Sequence, residues 1–386
     1  MRGLDVFSGA GGMSLGAQMA GISVAVAIEL DPHAHATYSI NHPETMVIRA
    51  DLDRVFDVAL PQSDEPLVLF GGPPCQGFST SNQRTRGGGN EKNWLYRAFV
   101  RLVSQVEPDW VVFENVRGIL ETEGGIFAAN VERDLIALGY SVTSGLLNAA
   151  DFGVPQVRSR FFIIGRRNGA APPLPFTSDP ERVTVNDAIY DLPDLTVGAS
   201  KCELDYPRSA VSEYAKRLRG SAQRVTGNLV TNNAPHVVER YRHVPQGGNW
   251  EDIPEALMAN YADRLRCHTG IYRRLRSDAP SVVIGNFRKN MLIHPTANRG
   301  LSVREAARIQ SFPDWYRFAG SIGLQQQQVG NAVPPLLAKA VFESIVKADH
   351  TASNAKIVEL GLRPVQAKHK DVNSSIQEAS PDALAS

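Results

Sequence analysis

The chain has 386 residues, of which 43% are hydrophobic and 21% charged, and these ordinary globular values exclude a chain that is disordered or collagen-like as a whole. No run of about 18 uninterrupted apolar residues occurs, so no membrane span is predicted, and the first residues lack the apolar core of a signal peptide. Three cysteines without CxxC spacing (Cys75, Cys202 and Cys267) argue against a disulfide framework and a structural zinc site, and they favour a reducing compartment.

The charges balance at 40 basic and 40 acidic residues, but they are unevenly distributed along the chain. Residues 1–70 hold three arginines against nine acidic residues, a net charge of −6, whereas residues 201–300 hold sixteen basic and nine acidic residues, a net of +7. The asymmetry predicts two surfaces with different partners, and ordinary fluctuation is the alternative.

Up to about residue 170, short apolar runs alternate with helical patterns. The predicted strands are residues 1–7, 22–28, 47–51, 67–70, 110–113 and 161–164, and the predicted helices are residues 13–19 and 94–106. This alternation predicts an α/β fold with a mostly parallel sheet and helices on both faces.

The sequence pattern changes after residues 171–175, a proline-rich segment that interrupts regular secondary structure. Residues from about 185 to 300 are polar, basic and rich in loops, which predicts a second, smaller domain. A helix returns at residues 302–310, where Ser302 and Glu305 have capping-box spacing, and a final helix is predicted from Pro334 to Val346. The tail from about residue 350 is poor in aromatics and is predicted to be disordered.

A glycine-rich turn, Ser8 to Gly12, joins the first strand to the first helix. Glycines let a backbone approach a nucleotide, and Glu29 stands about twenty residues on, where a carboxylate can accept ribose hydroxyls. The spacing is not the strict GxGxxG of dinucleotide sites, so a tight turn without a ligand is the alternative.

A second turn, GGPPCQGFS, follows the fourth predicted strand. Its two prolines place Cys75 just past the carboxyl end of the strand, where open α/β sheets bind ligands. A thiolate there is a strong nucleophile if nearby positive charge lowers its pKa, and residues 81–90 could close over a substrate as a lid. The alternative is a small buried hydrophobic side chain.

Three further stretches carry candidate chemistry. Glu114 ends a predicted strand, which suits proton handling or hydrogen bonding to an amidine edge, although it could simply be an acid at a helix start. Arg158 and Arg160 precede another strand and could hold phosphate or activate a thiolate, with a solvated edge as the alternative. Residues 328–335, QVGNAVPP, precede the last helix and could be an ordinary loop.

Taken together, these stretches resemble the motifs of the cytosine-C5 DNA methyltransferase family. DVFSGAGG resembles its cofactor loop, GGPPCQGFS its nucleophile loop, ENV its glutamate motif and QVRSR its arginine motif, and RGLSVREAARIQSFPD and QVGNAVPP resemble its two late motifs. They occur in family order and cover residues 3 to 347. The resemblance implies a Rossmann-like methyltransferase domain that uses S-adenosylmethionine, together with a smaller target-recognition domain.

The resemblance also implies a role for each catalytic residue. Cys75 would attack C6 of cytosine and so make C5 nucleophilic. Glu114 would hydrogen bond the N3 and N4 edge, and Arg160 would contact O2. Arg158 would help to hold the catalytic loop and its phosphates.

The cofactor roles implied by the resemblance fall on the ends of the first strands. Phe7 and the glycine turn would face the cofactor, Glu29 its ribose, and Asp51 with Leu52 its adenine, while the late motif would return to complete the pocket. The full implied set is Phe7, Ser8, Gly9, Gly11, Gly12, Glu29, Asp51, Leu52, Pro74, Asn331 and Val333, and no metal is expected.

The expected domains are residues 1–184 for catalysis, 185–325 for target recognition, 326–349 returning to the catalytic domain, and a tail at 350–386. Within the second, residues 185–295 correspond by position to the variable region of the family. The expected partners are double-stranded DNA, bound by a monomer with the target base flipped out, and a cognate restriction endonuclease or defence system; the expected location is cytoplasmic and nucleoid-associated. Candidate DNA contacts are Trp250, Tyr272, Arg273 and Arg274.

Three other functions are alternatives to DNA cytosine methylation. A transfer-RNA cytosine methyltransferase would use the same catalytic motifs, but the long segment before residue 299 favours a DNA reader. A non-catalytic nucleic-acid-binding relative would have no need of the intact Cys75, Glu114 and Arg160. A nicotinamide dehydrogenase built on the glycine turn leaves PPCQ unexplained.

Overall fold

The structure is a computed structural model, which describes residues 1–55, 58–60, 62–74, 95–178, 180, 182–259, 270–285, 287–289 and 291–359. The strands are β1 (Arg2–Val6), β2 (Ser23–Ile28), β3 (Met46–Ile48), β4 (Leu67–Gly71), β5 (Trp110–Val116), β6 (Ser141–Asn148), β7 (Ser159–Arg166), β8 (Leu204–Asp205) and β9 (Arg224–Val225). The helices are α1 (Gly12–Met19), α2 (Pro32–Asn41), α3 (Tyr96–Val106), α4 (Ile126–Ala137), α5 (Val185–Ile189), α6 (Glu213–Arg219), α7 (Pro235–His243), α8 (Val303–Ile309), α9 (Ile322–Asn331) and α10 (Pro335–Glu359).

Seven strands form one sheet in the order β3-β2-β1-β4-β5-β7-β6. The first five are parallel and β7 runs antiparallel to both of its neighbours, so the predicted mostly parallel α/β sheet is confirmed. The strand order reverses direction between β1 and β4, and in open α/β sheets ligands bind at the carboxyl ends of strands flanking such a point. Val6 pairs with Ile28 on one side and with Gly71 on the other, so the three strand ends are level there.

Several elements differ from the sequence prediction, among them strands β6 and β5 of the main sheet. Strand β6 was not predicted, because this edge strand is only partly buried and mixes polar with apolar residues, and so it lacks the apolar run of a buried strand. Strand β5 continues to Val116, which places Glu114 and Asn115 inside the strand, paired with Phe162 and Phe161 of β7.

Residues 1–346 and residues 347–386 form two units. Helix α10 runs to Glu359, nine residues past the point where the disordered tail was expected to begin, and its last residues include the helix formers alanine, lysine and glutamate. The rest of that expected tail, residues 360–386, lies outside the described residues.

One stretch, Ile322–Thr351, is long and apolar enough to cross a membrane by length and composition alone. It contains α9 and the start of α10, which residues 332–334 separate, and 67% of its apolar window is buried inside the protein. Core helices of globular proteins have the same properties, so this stretch is weak support for a membrane span.

Helix α7 and the residues between it and α8 build a second, smaller core. It is formed by Val237, Tyr241, Val244, Trp250, Ile253, Met258, Tyr272 and Ile293. This core lies within the range expected for target recognition, whose boundaries remain a proposal.

Candidate active site

The loop between β1 and α1 has an unusual backbone. Phe7, Gly9 and Gly11 all have left-handed φ values, of 57°, 54° and 84°. A left-handed residue other than glycine is costly and persists only where its surroundings impose it, so Phe7 marks this turn as a strained one. Gly11 also has no room for a side chain, because a Cβ there would lie 2.6 Å from both Nε2 of His42 and the hydroxyl of Tyr316.

Glu29, at the end of β2, holds this loop from the side. Its Oε2 accepts the amide of Gly9 at 2.7 Å, and its Oε1 accepts the amide of Asp31 at 2.7 Å. Burial raises the pKa of Glu29, although these backbone hydrogen bonds oppose the shift. Two carboxylate oxygens offer about four lone-pair positions, so acceptor capacity remains for a hydroxylated ligand.

Asp51 and Leu52 follow β3 at the same edge. The amide of Ala50 donates to the carbonyl of Glu29 at 3.3 Å, which brings Asp51 close to that residue. Leu52 is buried in the core, and its carbonyl accepts from Arg101 at 2.7 Å. The Leu52 side chain is therefore part of the core, and its expected place beside the adenine stays a prediction.

The late motif reaches the loop from the other end of the chain. A Cβ on Gly12 would collide with the carbonyl oxygen of Val333, so this backbone lies directly on the loop. Val333 is buried, whereas Asn331 is exposed at the end of α9. The structure thus brings Val333 to the predicted cofactor site and leaves Asn331 at the surface.

Glu114 and Arg160 form a buried ion pair at the ends of β5 and β7. Nε of Arg160 lies 2.9 Å from Oε1 of Glu114, and both side chains are less than a tenth exposed. Arg160 pairs with Val116 across the antiparallel ladder, which places it diagonally opposite Glu114. Burial raises the pKa of Glu114, against the opposing charges of Arg160 and Arg158.

The chain that leaves β4 toward Cys75 is held against this carboxyl group. A Cβ on Gly72 would collide with Oε2 of Glu114, and Nδ2 of Asn115 donates to the carbonyl of Pro73 at 3.2 Å. Pro74 is exposed. Cys75 itself lies outside the described residues, as does the expected lid at residues 81–90.

Arg158 is buried beside the late motif. It is 1% exposed, and its Nη2 donates to the carbonyls of Gly330 and Ala332 at 2.8 and 3.2 Å. Arg158 therefore holds the backbone of the QVGNAVPP motif, and its expected role in holding the catalytic loop and its phosphates stays a prediction.

Two buried glutamines that sequence analysis did not single out support the same turn. Nε2 of Gln156 donates to Oε1 of Gln310 at 2.9 Å, and Nε2 of Gln310 donates to the carbonyl of Val329 at 2.7 Å. Gln156 lies in the arginine motif QVRSR, and Gln310 lies in the late motif that contains RIQSF. Membership of these motifs was the only sequence signal for the two glutamines.

A family model for "C-5 cytosine-specific DNA methylase" matches residues 1–347. The chain belongs to this family. A type II methyltransferase of Haemophilus parahaemolyticus, M1.HphI, is 39% identical over 349 residues, which cover 89% of this chain and 86% of the relative. The type II methyltransferase M.AgeI of Thalassovita gelatinovora is 33% identical and covered to 99%. A crystal structure of a DNA modification methyltransferase encoded within an E. coli prophage superposes with a TM-score of 0.72 at 27% identity, over 90% of this chain and 99% of that one.

Three of the four expected DNA contacts of this methylase are interior residues. Trp250 and Tyr272 belong to the smaller core. Arg274 is 5% exposed and donates to the carbonyls of Val244 and Tyr241, both at 2.6 Å. The expectation for Trp250, Tyr272 and Arg274 is therefore wrong, because the sequence gives the residue types but not whether their side chains face the core or the solvent. Arg273 is half-buried.

Helix α8 of the methylase begins with the predicted capping box, which a buried ion pair extends. Arg299 donates to both carboxylate oxygens of Glu305, at 2.8 and 2.7 Å, and the amide of Ser302 donates to Oε2 at 2.8 Å. Burial raises the pKa of Glu305, but Arg299 and then His294 outweigh it and lower the pKa to about 2.

The Arg299–Glu305 pair is expected to make the free energy of unfolding depend on pH in the acid range. The pKa of Glu305 is about 4.5 in the unfolded chain and about 2 in the folded protein. Its ionised form therefore stabilises the fold fully above about pH 4.5, and this stabilisation is lost as the pH falls from about 4.5 to about 2. Glu305→Gln should destabilise the methylase by about 3–5 kcal/mol at pH 7, and this deficit should shrink by about 2 kcal/mol at pH 3. Urea unfolding at both pH values measures it. Glu213→Gln, at an exposed pair with Lys216, is the control, and a deficit of Glu305→Gln that stays constant with pH would contradict the expectation.

Proposed function

We propose that this methylase transfers a methyl group to C5 of a cytosine that is flipped out of double-stranded DNA, with Cys75 as the nucleophile. The observation that carries the proposal is the buried Glu114–Arg160 pair, with Gly72 and Pro73 held against it. Cys75 is the second residue after Pro73, and in this proposal its thiol acts beside the acid and the guanidinium.

These groups have complementary tasks on a cytosine ring. The Cys75 thiolate forms a bond to C6, and the electrons displaced from the C5–C6 double bond make C5 nucleophilic. Glu114, whose pKa burial raises, donates a proton to N3 and accepts a hydrogen bond from the N4 amino group, while Arg160 donates to O2. After C5 has been methylated, loss of its proton restores the double bond and breaks the bond from sulfur to C6.

S-adenosylmethionine supplies the electrophilic methyl group when it is bound. The loop at residues 7–12 fits such a ligand, because a Cβ at Gly9 would meet nothing within 4 Å and the backbone there faces open space. Glu29 would hold ribose hydroxyls with its remaining acceptor positions, Asp51 would lie beside the adenine, and the backbone at Val333 would complete the wall.

The substrate has to reach a buried carboxyl group. Glu114 is 7% exposed, so a base still stacked in a duplex does not reach its carboxyl group. Base flipping costs a few kcal/mol, which phosphate contacts of the basic region would offset. We place recognition in residues 185–325 and infer a monomer that acts on cytoplasmic, nucleoid DNA, alongside a cognate restriction endonuclease or defence system.

Methylation of DNA from cells that express the protein tests the proposal. Bisulfite sequencing should show protected cytosines in one sequence context, and nucleoside analysis should identify 5-methyldeoxycytidine. Glu114→Gln should lower the rate by roughly 10²–10³-fold, because the neutral amide cannot donate the proton to N3. Glu107→Gln, in an exposed pair with Arg167 at the opposite edge of the sheet, should keep the rate of wild type.

Other outcomes would count against the proposal. Methylated transfer RNA with unmodified DNA would establish the RNA substrate instead. Methylated DNA with full activity in Glu114→Gln would keep the reaction and remove the assigned role of Glu114.

A further inference from the structure

The cofactor loop has a support on its inner side that comes from residues far away in the sequence. The hydroxyl of Tyr316 donates to the carbonyl of Ala10, and Nε2 of His42 lies 3.0 Å from the same hydroxyl. Tyr316 is fully buried and His42 is 1% exposed. Both groups lie inside the protein, and the contact of Tyr316 with Ala10 acts on the backbone of the loop.

The direction of the hydrogen bonds follows from counting protons. The hydroxyl has one proton, which goes to the carbonyl of Ala10, so its oxygen accepts from His42. Burial lowers the pKa of His42 to about 4, and the neutral ring therefore carries its proton on Nε2. Nδ1 is then an acceptor. It lies 3.0 Å from Oε1 of Gln18, so with this tautomer the Gln18 amide has to turn by about 180° and present its NH2 group to Nδ1.

Tyr316 is itself fixed from several directions. Its ring packs against those of Phe312 and Phe318, with centroids 4.8 and 5.5 Å away, and its carbonyl accepts from Arg304 at 2.6 Å. A hydroxyl on so constrained a ring holds its acceptor in one place. The acceptor is in the loop that has three left-handed residues, and such a backbone requires its surroundings to impose it.

We propose that Tyr316, oriented by His42, is a positioning residue that holds the loop at residues 7–12 in its binding conformation before S-adenosylmethionine arrives. The inference rests on the proposed function, since it presumes that this loop binds that ligand. A loop that is ordered in advance binds more tightly because less conformational freedom is lost on binding. Tyr316 touches neither cofactor nor base in this proposal.

Calorimetric titration of S-adenosylmethionine into Tyr316→Phe is the test. The variant keeps the ring and removes only the hydroxyl, so the dissociation constant should rise roughly five- to tenfold, the effect of one lost hydrogen bond. The kcat at saturating cofactor should stay within about twofold, since the reacting groups are untouched. Amide hydrogen exchange at residues 9–12 of the unliganded protein should become faster.

Tyr140→Phe is the matched control. Tyr140 is also buried, and its hydroxyl donates to the carbonyl of Pro108 at 2.6 Å, before β5 and therefore at the opposite edge of the sheet. Its loss should leave the dissociation constant unchanged. If Tyr316→Phe does not fold, His42→Leu, which removes the N–H that faces Tyr316, should raise the dissociation constant roughly threefold.

The outcomes separate the two proposals. A wild-type protein that binds no S-adenosylmethionine would overturn the proposed function. A wild type that binds, with a folded Tyr316→Phe of equal affinity and equal amide exchange, would overturn the positioning role alone. An equal loss of affinity in Tyr140→Phe would do the same, because the effect would then be one of general stability.

Discussion

Cys75→Ser is expected to abolish methyl transfer, lowering the rate by roughly four orders of magnitude or more. A serine hydroxyl is scarcely ionised at neutral pH, so the attack on C6 loses its nucleophile. Affinity for S-adenosylmethionine should stay nearly unchanged, because the groups proposed to hold it are Glu29, Asp51 and the loop at residues 7–12. Transfer of radiolabelled methyl groups to DNA measures the rate, and calorimetry measures the affinity.

Cys202→Ser is the control, since Cys202 is an exposed free thiol that accepts the amide of Gly227 at 3.4 Å. A duplex carrying 5-fluorocytosine at the target position adds an independent readout. Fluorine cannot leave as a proton does, so wild type and Cys202→Ser should stay covalently joined to this DNA under denaturing electrophoresis, and Cys75→Ser should not. Activity of Cys75→Ser within tenfold of wild type would remove Cys75 from the mechanism.

Replacing residues 185–295 with the same region of a relative that methylates a different sequence is expected to move methylation to the donor's sequence. Contacts to base edges change preference by about 1–3 kcal/mol per position, so the discrimination should follow the graft. Contacts to phosphate should make binding weaken with salt, with a log–log slope of about −0.9 for each phosphate neutralised. Bisulfite sequencing identifies the methylated sequence.

The structure sets one requirement for this hybrid. Arg308 is fully buried, and its Nη1 and Nη2 pair with Asp191 at 3.0 Å and with Asp314 at 2.6 Å. Asp191 lies inside the grafted range, and a buried charge that loses a partner destabilises a fold by about 3–5 kcal/mol. The hybrid therefore keeps Asp191, and Asp191→Asn in the parent chain shows the cost of omitting it. An active hybrid that still methylates the original sequence would place recognition elsewhere.

The parallel part of the sheet was predictable because its strands are buried on both faces and read as short apolar runs. The capping box at Ser302 and Glu305 was predictable for a similar reason: the signal is local, a few residues with fixed spacing. Edge strand β6 has no such local signal, because most of its side chains are exposed or only partly buried, and polar residues are tolerated at such positions.

The residues of the candidate site also differ in whether a local sequence signal predicts their position. The motifs located Glu114, Arg160 and Glu29, since each lies at or near one end of a strand whose direction fixes where that end lies. Which way Arg158 or Arg274 points depends on tertiary packing, and an arginine beside a strand reads the same whether it reaches a phosphate or a buried carbonyl. The hydrogen bond between Tyr316 and Ala10 joins residues 306 positions apart, and no local pattern encodes it.

The contacts of Gly12 with Val333 and of Ala10 with Tyr316 also bear on how the protein is made. A ribosome releases the loop at residues 7–12 first, and the residues that complete its inner wall emerge more than 300 positions later. The amino-terminal strands can pair early, but the cofactor site is finished only when translation has passed Val333. Chains that end before that point therefore lack the contacts that complete the inner wall of the loop at residues 7–12.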